Sequence, residues 1–273
     1  MNCCSDQRPN VSISVLTICR NNLEGLQRTI ASVASQICPP EEFIVLDGAS
    51  TDGTVEFLHT VTTVTSWMSE PDSGIADAFN KVVRMASRDW IIYLNSGDMF
   101  CDADVLERVR TALALCDVDA GVAYGNARIV DGDTVVGVAK GDPLGLEGGN
   151  SLCHQACFIR RELQLLHPYD VRLRIGMDYD LWLRLSKCTR FQPLGLDIAL
   201  YALGGVSTTR SWAEHSVVAH HFVRWLNSAP GSRLGLQEVV RLFADVLKLR
   251  TKKGFESLVG DQWYSLLKKA LRR

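Results

Sequence analysis

The sequence predicts an α/β fold in which a mainly parallel central sheet lies between two layers of helices. Over the first hundred residues, apolar runs rich in β-branched residues alternate with segments of helical periodicity, joined by short loops. The run "WIIYL" has no polar face, which is typical of a strand buried on both sides. Polar and acidic clusters follow these runs, where open α/β sheets form their ligand crevice.

The elements of the first hundred residues can be assigned in order. "VSISVLTI" alternates and is β-branched, so it predicts a strand over 11–18. The helix after it ends before Pro39 and has one apolar face, formed by Leu23, Leu26, Ile30, Val33 and Ala34. The remaining elements are a strand in "EEFIVLD", a helix from about residue 54, a short strand within 61–70, a helix over 76–86 and a strand over 89–94.

The pattern changes after residue 100. It predicts a helix over 104–115, a hairpin of 120–130 and 134–140 around "DGD", a Gly-rich loop over 143–150, a segment 154–163 that leads into a helix, and a helix over 180–187. Residues 212–273 read mostly as amphipathic helix, with breaks near 230–231 and 254. We therefore expect a domain over 1–210, with halves 11–100 and 101–210, and a helical extension over 211–273.

Composition indicates a globular protein with one large core, because 47% of the 273 residues are hydrophobic and 22% are charged. No apolar stretch is long enough for a transmembrane helix. The start, "MNCCSDQRPN", lacks the apolar core of a signal peptide, and the nine cysteines are scattered, so we expect a cytoplasmic protein with reduced thiols. "CHQAC" has a spacing compatible with zinc, but alternating side chains on a buried strand explain it better.

Charge is unevenly distributed along the chain. The net charge is −2, yet from Lys248 onward eight basic residues stand against two acidic ones, which leaves net +6 there and −8 elsewhere. Such a segment meets anionic lipid or nucleic acid, or forms a solvated helix face. We expect no nucleic-acid partner.

The polar clusters at the strand ends point to the class of ligand. They are Arg20–Asn21, Asp47–Asp52, Glu70–Gly74 and Asn95–Asp98. Acids and small polar residues at one crevice favour a polyhydroxylated or phosphorylated ligand with a divalent cation. The dinucleotide fingerprint G-x-G-x-x-G, the P-loop and the G-x-S-x-G nucleophile motif are absent from the sequence.

Six blocks in order, "TICRNN", "VLDGASTDGT", "SEPDSGIADAFNK", "IIYLNSGD", "HQACFIRR" and "MDYDLWLRL", resemble the family 2 glycosyltransferases, which have the GT-A fold. The likeness covers about residues 11–210 and is greatest to bacterial members that build capsule, exopolysaccharide or lipopolysaccharide. Each block alone is a weak signal, whereas the ordered series is specific.

The resemblance implies a nucleotide pocket at the ends of the first strands. Its implied members are Thr17, Arg20, Asn21, Asp47, Ser50, Asp52, Asp72 and Gly74. Asp47 would accept a hydrogen bond from the base, and one residue of 50–52 is also expected to cap the next helix. Gly74 would allow close backbone approach to the nucleotide. Asp77 and Asn80 are either ligand contacts or capping and packing residues.

"YLNSGD" occupies the position of the family's DxD motif, in which carboxylates meet the ribose and coordinate Mn²⁺ or Mg²⁺. Here Asn95 and Gly97 replace acidic residues. The resemblance implies that Asn95 hydrogen-bonds the ribose and that Asp98 alone gives the metal a carboxylate. This departure predicts weak metal binding when no nucleotide is present.

"GMDYDLWLRL" resembles the family's catalytic-base block. Asp178 is the implied base that takes the proton from the acceptor hydroxyl in an inverting reaction. Asp180 is its competitor and is otherwise a solvated or capping acid, while Arg184 would brace the two acids. We expect Trp182 to be a core residue.

Two further segments are implied to face the substrates. His154 and Gln155 occupy the position of a polar pair near donor sugar and acceptor, although a histidine on a strand is as often a core residue. Ser207 and Arg210, in "GGVSTTR", would belong to a loop that closes on the diphosphate and excludes water.

The resemblance implies an inverting, metal-assisted glycosyltransferase that adds one sugar from a nucleotide donor, with UDP favoured over GDP and dTDP, to a growing bacterial surface glycan. A lipid-linked glycan is one acceptor compatible with this expectation. Two alternatives stay open: a catalytically silent sugar-nucleotide-binding protein and a sugar nucleotidyltransferase. The C-terminal helices, in which Phe255, Leu258 and Trp263 accompany lysines, fit peripheral docking on the inner face of the cytoplasmic membrane. A helical cap or a homodimer contact explains them equally well.

Overall fold

The computed structural model describes residues 11–132, 134–203 and 210–228, and in the last segment it describes side chains from Ala219 onward. Its strands are β1 Ile13–Cys19, β2 Glu42–Asp47, β3 Ser66–Ser69, β4 Trp90–Tyr93, β5 Met99–Phe100, β6 Ala120–Asp131, β7 Thr134–Ala139, β8 Cys157–Arg160 and β9 Arg190–Ala202. Its helices are α1 Leu23–Ala34, α2 Thr54–Leu58, α3 Ile75–Met85, α4 Val105–Leu113, α5 Arg161–Leu166, α6 Met177–Leu185 and α7 Arg210–Asn227. Short 3-10 turns cover Pro143–Glu147 and His154–Ala156.

These strands form one sheet in the order β3-β2-β1-β4-β8-β6-β9-β5, with β7 paired to β6. The strands β1 to β4 pair only in parallel with one another, and β6 is parallel to β9. β8 runs antiparallel between β4 and β6, and β5 and β7 are antiparallel to their partners. The carboxyl ends of β1, β2 and β4 therefore meet at one edge of the sheet, as the sequence predicts.

Helices cover both faces of the sheet, because successive side chains of a strand point to opposite sides. Val15 belongs to the core cluster that contains Leu26 of α1 and Val109 of α4. Its neighbour Leu16 belongs to the cluster that contains Phe79 of α3 and Trp182 of α6. The predicted three-layer α/β arrangement is confirmed.

Two expectations are wrong: the set of residues on the buried face of α1, and the assignment of "CHQAC" to a buried strand. In α1 the side chain of Ala34 is exposed and that of Leu23 is only partly buried, whereas Thr29 lies inside. Thr29 is drawn inward because its hydroxyl bonds the chain after β4. "CHQAC" is no alternating strand, because His154–Ala156 form a 3-10 turn and β8 begins only at Cys157.

The hairpin predicted around "DGD" is present as β6 and β7. α6 begins at Met177, three residues earlier than predicted, directly after Gly176 with a φ of 74° that glycine adopts readily. The sequence analysis predicts neither β5 nor β9. β5 has only two residues, too few for a sequence pattern. β9 contains Pro193 and Gly195, which are typical of loops and uncommon inside strands.

α7 packs on the α6 face of the molecule. Phe222 and Val223 are fully buried in the same cluster as Trp182, so this part of α7 is a packing segment. No helix within the described ranges is long and apolar enough to cross a bilayer. The helices predicted beyond residue 228 lie outside the described residues, and the division into a domain and an extension stays a prediction.

Candidate active site

The turn after β4, residues Asn95–Asp98, is called here the acidic turn, and α1 holds it in place. The fully buried hydroxyl of Thr29 lies within 3.1 Å of two carbonyl oxygens of the turn and accepts a hydrogen bond from a turn N–H at 3.0 Å. Asn22 Nδ2 donates to the Ser96 carbonyl at 3.0 Å. Thr29 and Asn22 are site residues that the sequence analysis did not single out, because their partners lie far away in the chain.

Asp98 is the buried acid of this turn, with 8% of its surface exposed. Gln155 Nε2 donates to Asp98 Oδ2 at 3.0 Å, and Cys153 Sγ donates to Gln155 Oε1 at 3.2 Å, which fixes the orientation of the amide. Burial raises the pKa of Asp98 to about 7 despite the hydrogen bond from Gln155, since desolvation disfavours the charged form. Gln155 thus contacts the acidic turn itself.

The acidic turn fits a divalent cation at Asp98. Among the described residues, no Lys, Arg or His nitrogen lies within 4.0 Å of its carboxylate, so a bound cation would offset the burial of the charge. No three His, Cys, Asp or Glu side chains in the same ranges are grouped to hold a metal. Asn95 Oδ1 is buried without a hydrogen-bond partner in the described structure, and such an oxygen suits a ribose hydroxyl.

The loop after β2 is folded around Asp47, which is fully buried. Its carboxylate accepts hydrogen bonds from Ser50 N at 2.9 Å, Ser50 Oγ at 2.5 Å and Ser69 Oγ at 2.6 Å. Asn21 N donates to Ser50 Oγ at 2.7 Å, which joins the ends of β1 and β2. This geometry makes Asp47 the anchor of the loop, whereas the resemblance implies contact with the base.

Thr17 and Asp52 are also structural in this arrangement. Thr17 is fully buried and its hydroxyl donates to the Leu94 carbonyl at 2.6 Å, so it joins β1 to the end of β4 and lines no open pocket. Asp52 accepts from Thr54 N and Oγ1 and from Leu23 N, so it joins the starts of α1 and α2, while the N-cap of α2 is Gly53 and lies one residue after the expected range 50–52. The Thr54 hydroxyl is the main cause of the lowered pKa of Asp52.

The turn that contains Asp72 lies directly over the loop after β2. A Cβ added at Gly48 would collide with Asp72 Oδ2, so only glycine leaves room for this contact. Arg20 Nη1 is 3.9 Å from Asp72 Oδ1, and its side chain is 64% exposed and free to reach a ligand. Gly74 has φ 134° and ψ 174°, a conformation that is open essentially to glycine alone.

Asp77 and Asn80 are capping and packing residues. Asp77 accepts a hydrogen bond from Ser73 N at 3.0 Å, the main cause of its lowered pKa. Asn80 is buried, and its amide bonds both the N–H and the carbonyl of Tyr169, at 2.8 Å and 2.9 Å. This pair ties α3 to the segment before α6.

The two acids of α6 have different environments. Asp180 is 6% exposed, is paired with Arg184 Nε at 2.8 Å and accepts from Asn227 Nδ2 at 2.9 Å. Arg184 therefore braces Asp180. The sequence analysis gives a solvated or capping acid as the alternative role of Asp180, and the structure shows a buried, ion-paired acid instead. Asp178 is only partly buried, and its Oδ2 accepts from Asn150 Nδ2 at 2.7 Å. Asp178 is the acid that a substrate can reach, and Asn150 is a contact that the sequence did not reveal.

His154 lies in a buried aromatic cluster. Its ring stacks on Tyr93 at 4.8 Å between centroids, and its Nε2 is 2.5 Å from the Tyr169 hydroxyl. Burial lowers its pKa to about 4, so the ring is neutral near pH 7. Of the two expectations for His154, the geometry supports the core residue and argues against a proton-transfer role. Ser207 and the side chain of Arg210 lie outside the described residues.

The six blocks of the sequence meet at this site. Block one contacts block two through Asn21 and Ser50, and block three lies on block two through Asp72 and Gly48. The Thr17 hydroxyl donates to the carbonyl of Leu94 in the fourth block, "IIYLNSGD". Gln155 of the fifth block, "HQACFIRR", donates to Asp98. In block six, the Trp182 ring lies 6.1 Å from that of His154. Residues up to 165 positions apart therefore form one continuous site.

Comparison with known proteins assigns the fold and the family. A family model described as glycosyl transferase family 2 matches residues 14–143. The uncharacterized glycosyltransferase Rv1514c of Mycobacterium tuberculosis is 35% identical over 183 residues, which cover 64% of this chain and 69% of that protein. The PGL/p-HBAD biosynthesis glycosyltransferase Rv2957 of the same species is 29% identical over 244 residues, 86% of this chain and 90% of that protein.

Solved structures show the same fold. S. aureus TarS 1–349 in complex with UDP-GlcNAc aligns with a TM-score of 0.62 at 13% identity over 86% of this chain and 72% of that one. The mannosyltransferase PcManGT of Pyrobaculum calidifontis, in complex with GDP-Man and Mn²⁺, aligns with a TM-score of 0.59 at 16% identity over 86% of this chain and 73% of that one. The chain spans 43% of a longer TarS chain.

Proposed function

Because this chain belongs to family 2 of the glycosyltransferases, we propose that it moves a single sugar from a UDP-sugar to a hydroxyl of a growing glycan, with inversion at the anomeric carbon. The observation that carries this proposal is that contacts join all six sequence blocks, by hydrogen bonds at the strand ends and, for block six, through the buried rings of Trp182 and His154. The UDP-GlcNAc complex of TarS, which has the same fold, supports a UDP-linked donor.

Asp178 is the proposed general base. Its carboxylate is partly exposed and held by Asn150 and by its neighbouring N–H, so it can accept a proton without leaving its position. The acceptor oxygen gives that proton to Asp178 as it forms a bond to the anomeric carbon. The bond from this carbon to the diphosphate breaks on the opposite face, and its electron pair leaves with the diphosphate. Asp180 cannot do this without breaking its ion pair with Arg184.

The acidic turn is the proposed binding site for the donor. The unpartnered Asn95 Oδ1 would accept a hydrogen bond from a ribose hydroxyl. Asp98 would hold Mn²⁺ or Mg²⁺, and such an ion, when bound, offsets negative charge on the leaving diphosphate. Arg20, exposed beside Asp72, would reach the nucleotide, and Ser207 with Arg210 would close over it. The Mn²⁺ complex of PcManGT supports the metal.

A lipid-linked glycan at the inner face of the cytoplasmic membrane is the proposed acceptor. Rv2957, which by its name acts in PGL/p-HBAD biosynthesis, is similar over most of its length. The net +6 charge from Lys248 onward would attract anionic lipid. Deletion of residues 248–273, which removes all of this charge, should then release the protein from anionic vesicles. Unchanged vesicle binding would contradict the membrane contact and leave the transferase proposal intact.

The decisive experiment measures UDP release and sugar transfer for the wild-type protein, Asp178→Asn and the surface control Asp131→Asn. We expect Asp178→Asn to keep UDP-sugar binding and thermal stability while turnover falls at least 100-fold, on the order of the effect of a general base. Asp131→Asn should match the wild type. Full turnover in Asp178→Asn would refute the assigned base. Binding without turnover over a broad donor and acceptor panel would instead indicate a silent sugar-nucleotide-binding protein.

A further inference from the structure

A cavity of about 460 Å³ opens at the end of the sheet opposite to the candidate active site. It lies where β4, β6 and β9 begin and where β8 ends, and we call it the amino-end pocket. Its walls are 87–89, 118–121, 160–163, Leu166 and 188–189. The acidic turn follows the other end of β4, so the pocket is separate from the proposed donor site.

One wall of the amino-end pocket is apolar. Val118 is 94% exposed and Leu166 is 77% exposed, so both side chains lack a cover in the described structure. The floor is main chain at Gly121, where an added Cβ would collide with Thr189 and Leu163. A ligand with an apolar part would therefore bury side chains that water now covers.

The other wall carries three arginines from two segments. The Arg160 guanidinium lies 4.2 Å from the centroid of the Trp90 ring, and Arg88 Nε is 3.3 Å from a carboxylate oxygen of Glu42. Within the described ranges, neither Arg160 nor Arg161 has a carboxylate within 4.0 Å. Arg161 Nε is in addition buried without a hydrogen-bond partner. A buried donor without an acceptor destabilises the protein, and an acceptor bound there would remove this penalty.

Acidic residues limit what the pocket can bind. Asp89, Asp119 and Glu162 also line it, so its arginines and acids balance in number. Asp89 accepts from Ser12 Oγ at 2.7 Å, and Asp119 is 3.7 Å from Arg190. A polyanion such as nucleic acid would meet these acids, whereas one oxyanion group directed at Arg160 and Arg161 would not.

We propose that the amino-end pocket binds a small organic oxyanion. Its phosphate or carboxylate group accepts hydrogen bonds from the guanidinium groups of Arg160 and Arg161, which both line the pocket and are planar donors suited to oxyanions. Its apolar part packs against Val118 and Leu166. The site is independent of the sugar-transfer reaction.

Binding of phenyl phosphate and benzoate to the full chain, measured by calorimetry, tests this site. Inorganic phosphate has the oxyanion without an apolar part, and benzyl alcohol has the apolar ring without an oxyanion, so these two serve as half-probes. Phenyl phosphate or benzoate should bind more tightly than either half-probe. Arg161→Gln should weaken binding about tenfold or more, since a charge-assisted hydrogen bond is lost. Arg28→Gln, an exposed arginine of α1, should bind like the wild type.

A second variant protects the test against misfolding. Val118→Asp changes a side chain that is 94% exposed, so the fold should persist while the apolar wall is lost and a negative charge is added. It should also weaken binding about tenfold. Absence of binding at millimolar probe, binding in both pocket variants as tight as in the wild type, or displacement of the probe by UDP would each overturn the proposal.

Discussion

Asp98→Asn is expected to raise the free energy of unfolding near pH 8 when divalent cations are removed by a chelator. The pKa of Asp98 rises from an ordinary value of 3.8 to about 7 because the carboxyl is buried. Between these values the unfolded chain has lost the proton and the folded protein keeps it, so stability falls as pH rises toward about 7. At about 1.4 kcal/mol per pKa unit the total loss is about 4 kcal/mol.

Asparagine has nearly the same shape and no charge, and its oxygen can still accept from Gln155. Asp98→Asn should therefore remove the loss of stability that Asp98 causes as pH rises. Between about pH 5 and pH 8 the stability difference between variant and wild type should change by about 3 kcal/mol in favour of the variant. His154 acts in the opposite sense. Burial lowers its pKa from 6.5 to about 4, so its contribution to stability grows as pH rises through that range. Both proteins contain His154, so its contribution cancels in the difference between their free energies of unfolding, and that difference reports on Asp98.

Urea unfolding at several pH values between 5 and 8 measures the effect. Asp197→Asn is the matched control, because hydrogen bonds from Asn126 and Arg128 lower the pKa of Asp197 and its contribution is lost only in acid. Its stability difference from the wild type should stay constant over this range. An equally constant difference for Asp98→Asn would refute the reasoning from burial. Mn²⁺ added together with UDP should stabilise the wild type near pH 8 more than UDP alone, and should give Asp98→Asn no such gain.

Three further substitutions test the site. Asp180→Asn should destabilise the fold by about 3 kcal/mol, as measured by urea unfolding, because it leaves the charge of Arg184 without its buried partner. Thr29→Val should destabilise by about 1 to 3 kcal/mol, because the acidic turn loses a buried hydroxyl and its N–H and carbonyl groups lose a partner. Gly48→Ala should displace Asp72 and weaken UDP binding in calorimetry about tenfold, with a smaller change in stability.

Each of these has a control and a contrary outcome. Asp180→Glu keeps the charge and should retain part of the stability, whereas equal stability of Asp180→Asn and the wild type would show that the ion pair contributes nothing. Thr29→Ser keeps the hydroxyl and should lie near the wild type. A Thr29→Val protein as stable as Thr29→Ser would contradict the conclusion that the Thr29 hydroxyl holds the acidic turn in place. Gly121→Ala, at a crowded glycine far from the donor site, should lower stability and leave UDP binding unchanged.

The parallel half of the fold could be predicted from the sequence because its signals are local. The apolar residues of β1, β2 and β4 are contiguous, and the polar residues that follow them fall at one sheet edge. β9 was missed because Pro193 and Gly195 interrupt it, and its pairing with β6 depends on residues about 70 positions away. Position along the chain does not report such long-range pairing.

The candidate site was predictable in location and less so in detail. Asp98 and Gln155 were both named, yet their hydrogen bond joins residues 57 positions apart and only the fold reveals it. Thr29 and Asn150 carry no chemical signal of their own, because a threonine in a helix and an asparagine in a Gly-rich loop are common. Asp178 and Asp180 look alike in "MDYD", and their partners Asn150 and Arg184 distinguish them.

The acidic turn also determines the curvature of the sheet. It joins β4 to β5, which lie four strand steps apart, about 19 Å in a flat sheet at about 4.8 Å per step. The five residues 94–98, which lie between the strands, would barely reach that far when fully extended, and these are folded back, with Asp98 N donating to the Asn95 carbonyl at 2.9 Å. The sheet must therefore curl until its far edge returns toward the centre.

This curl has a consequence for synthesis on the ribosome. β5 is held by β9, whose partner residue Leu200 is made about a hundred residues after Met99. A nascent chain that ends before residue 190 contains every residue of the acidic turn and lacks the strand that pairs with β5. The donor site should therefore take its final shape only late in translation, after β9 has emerged.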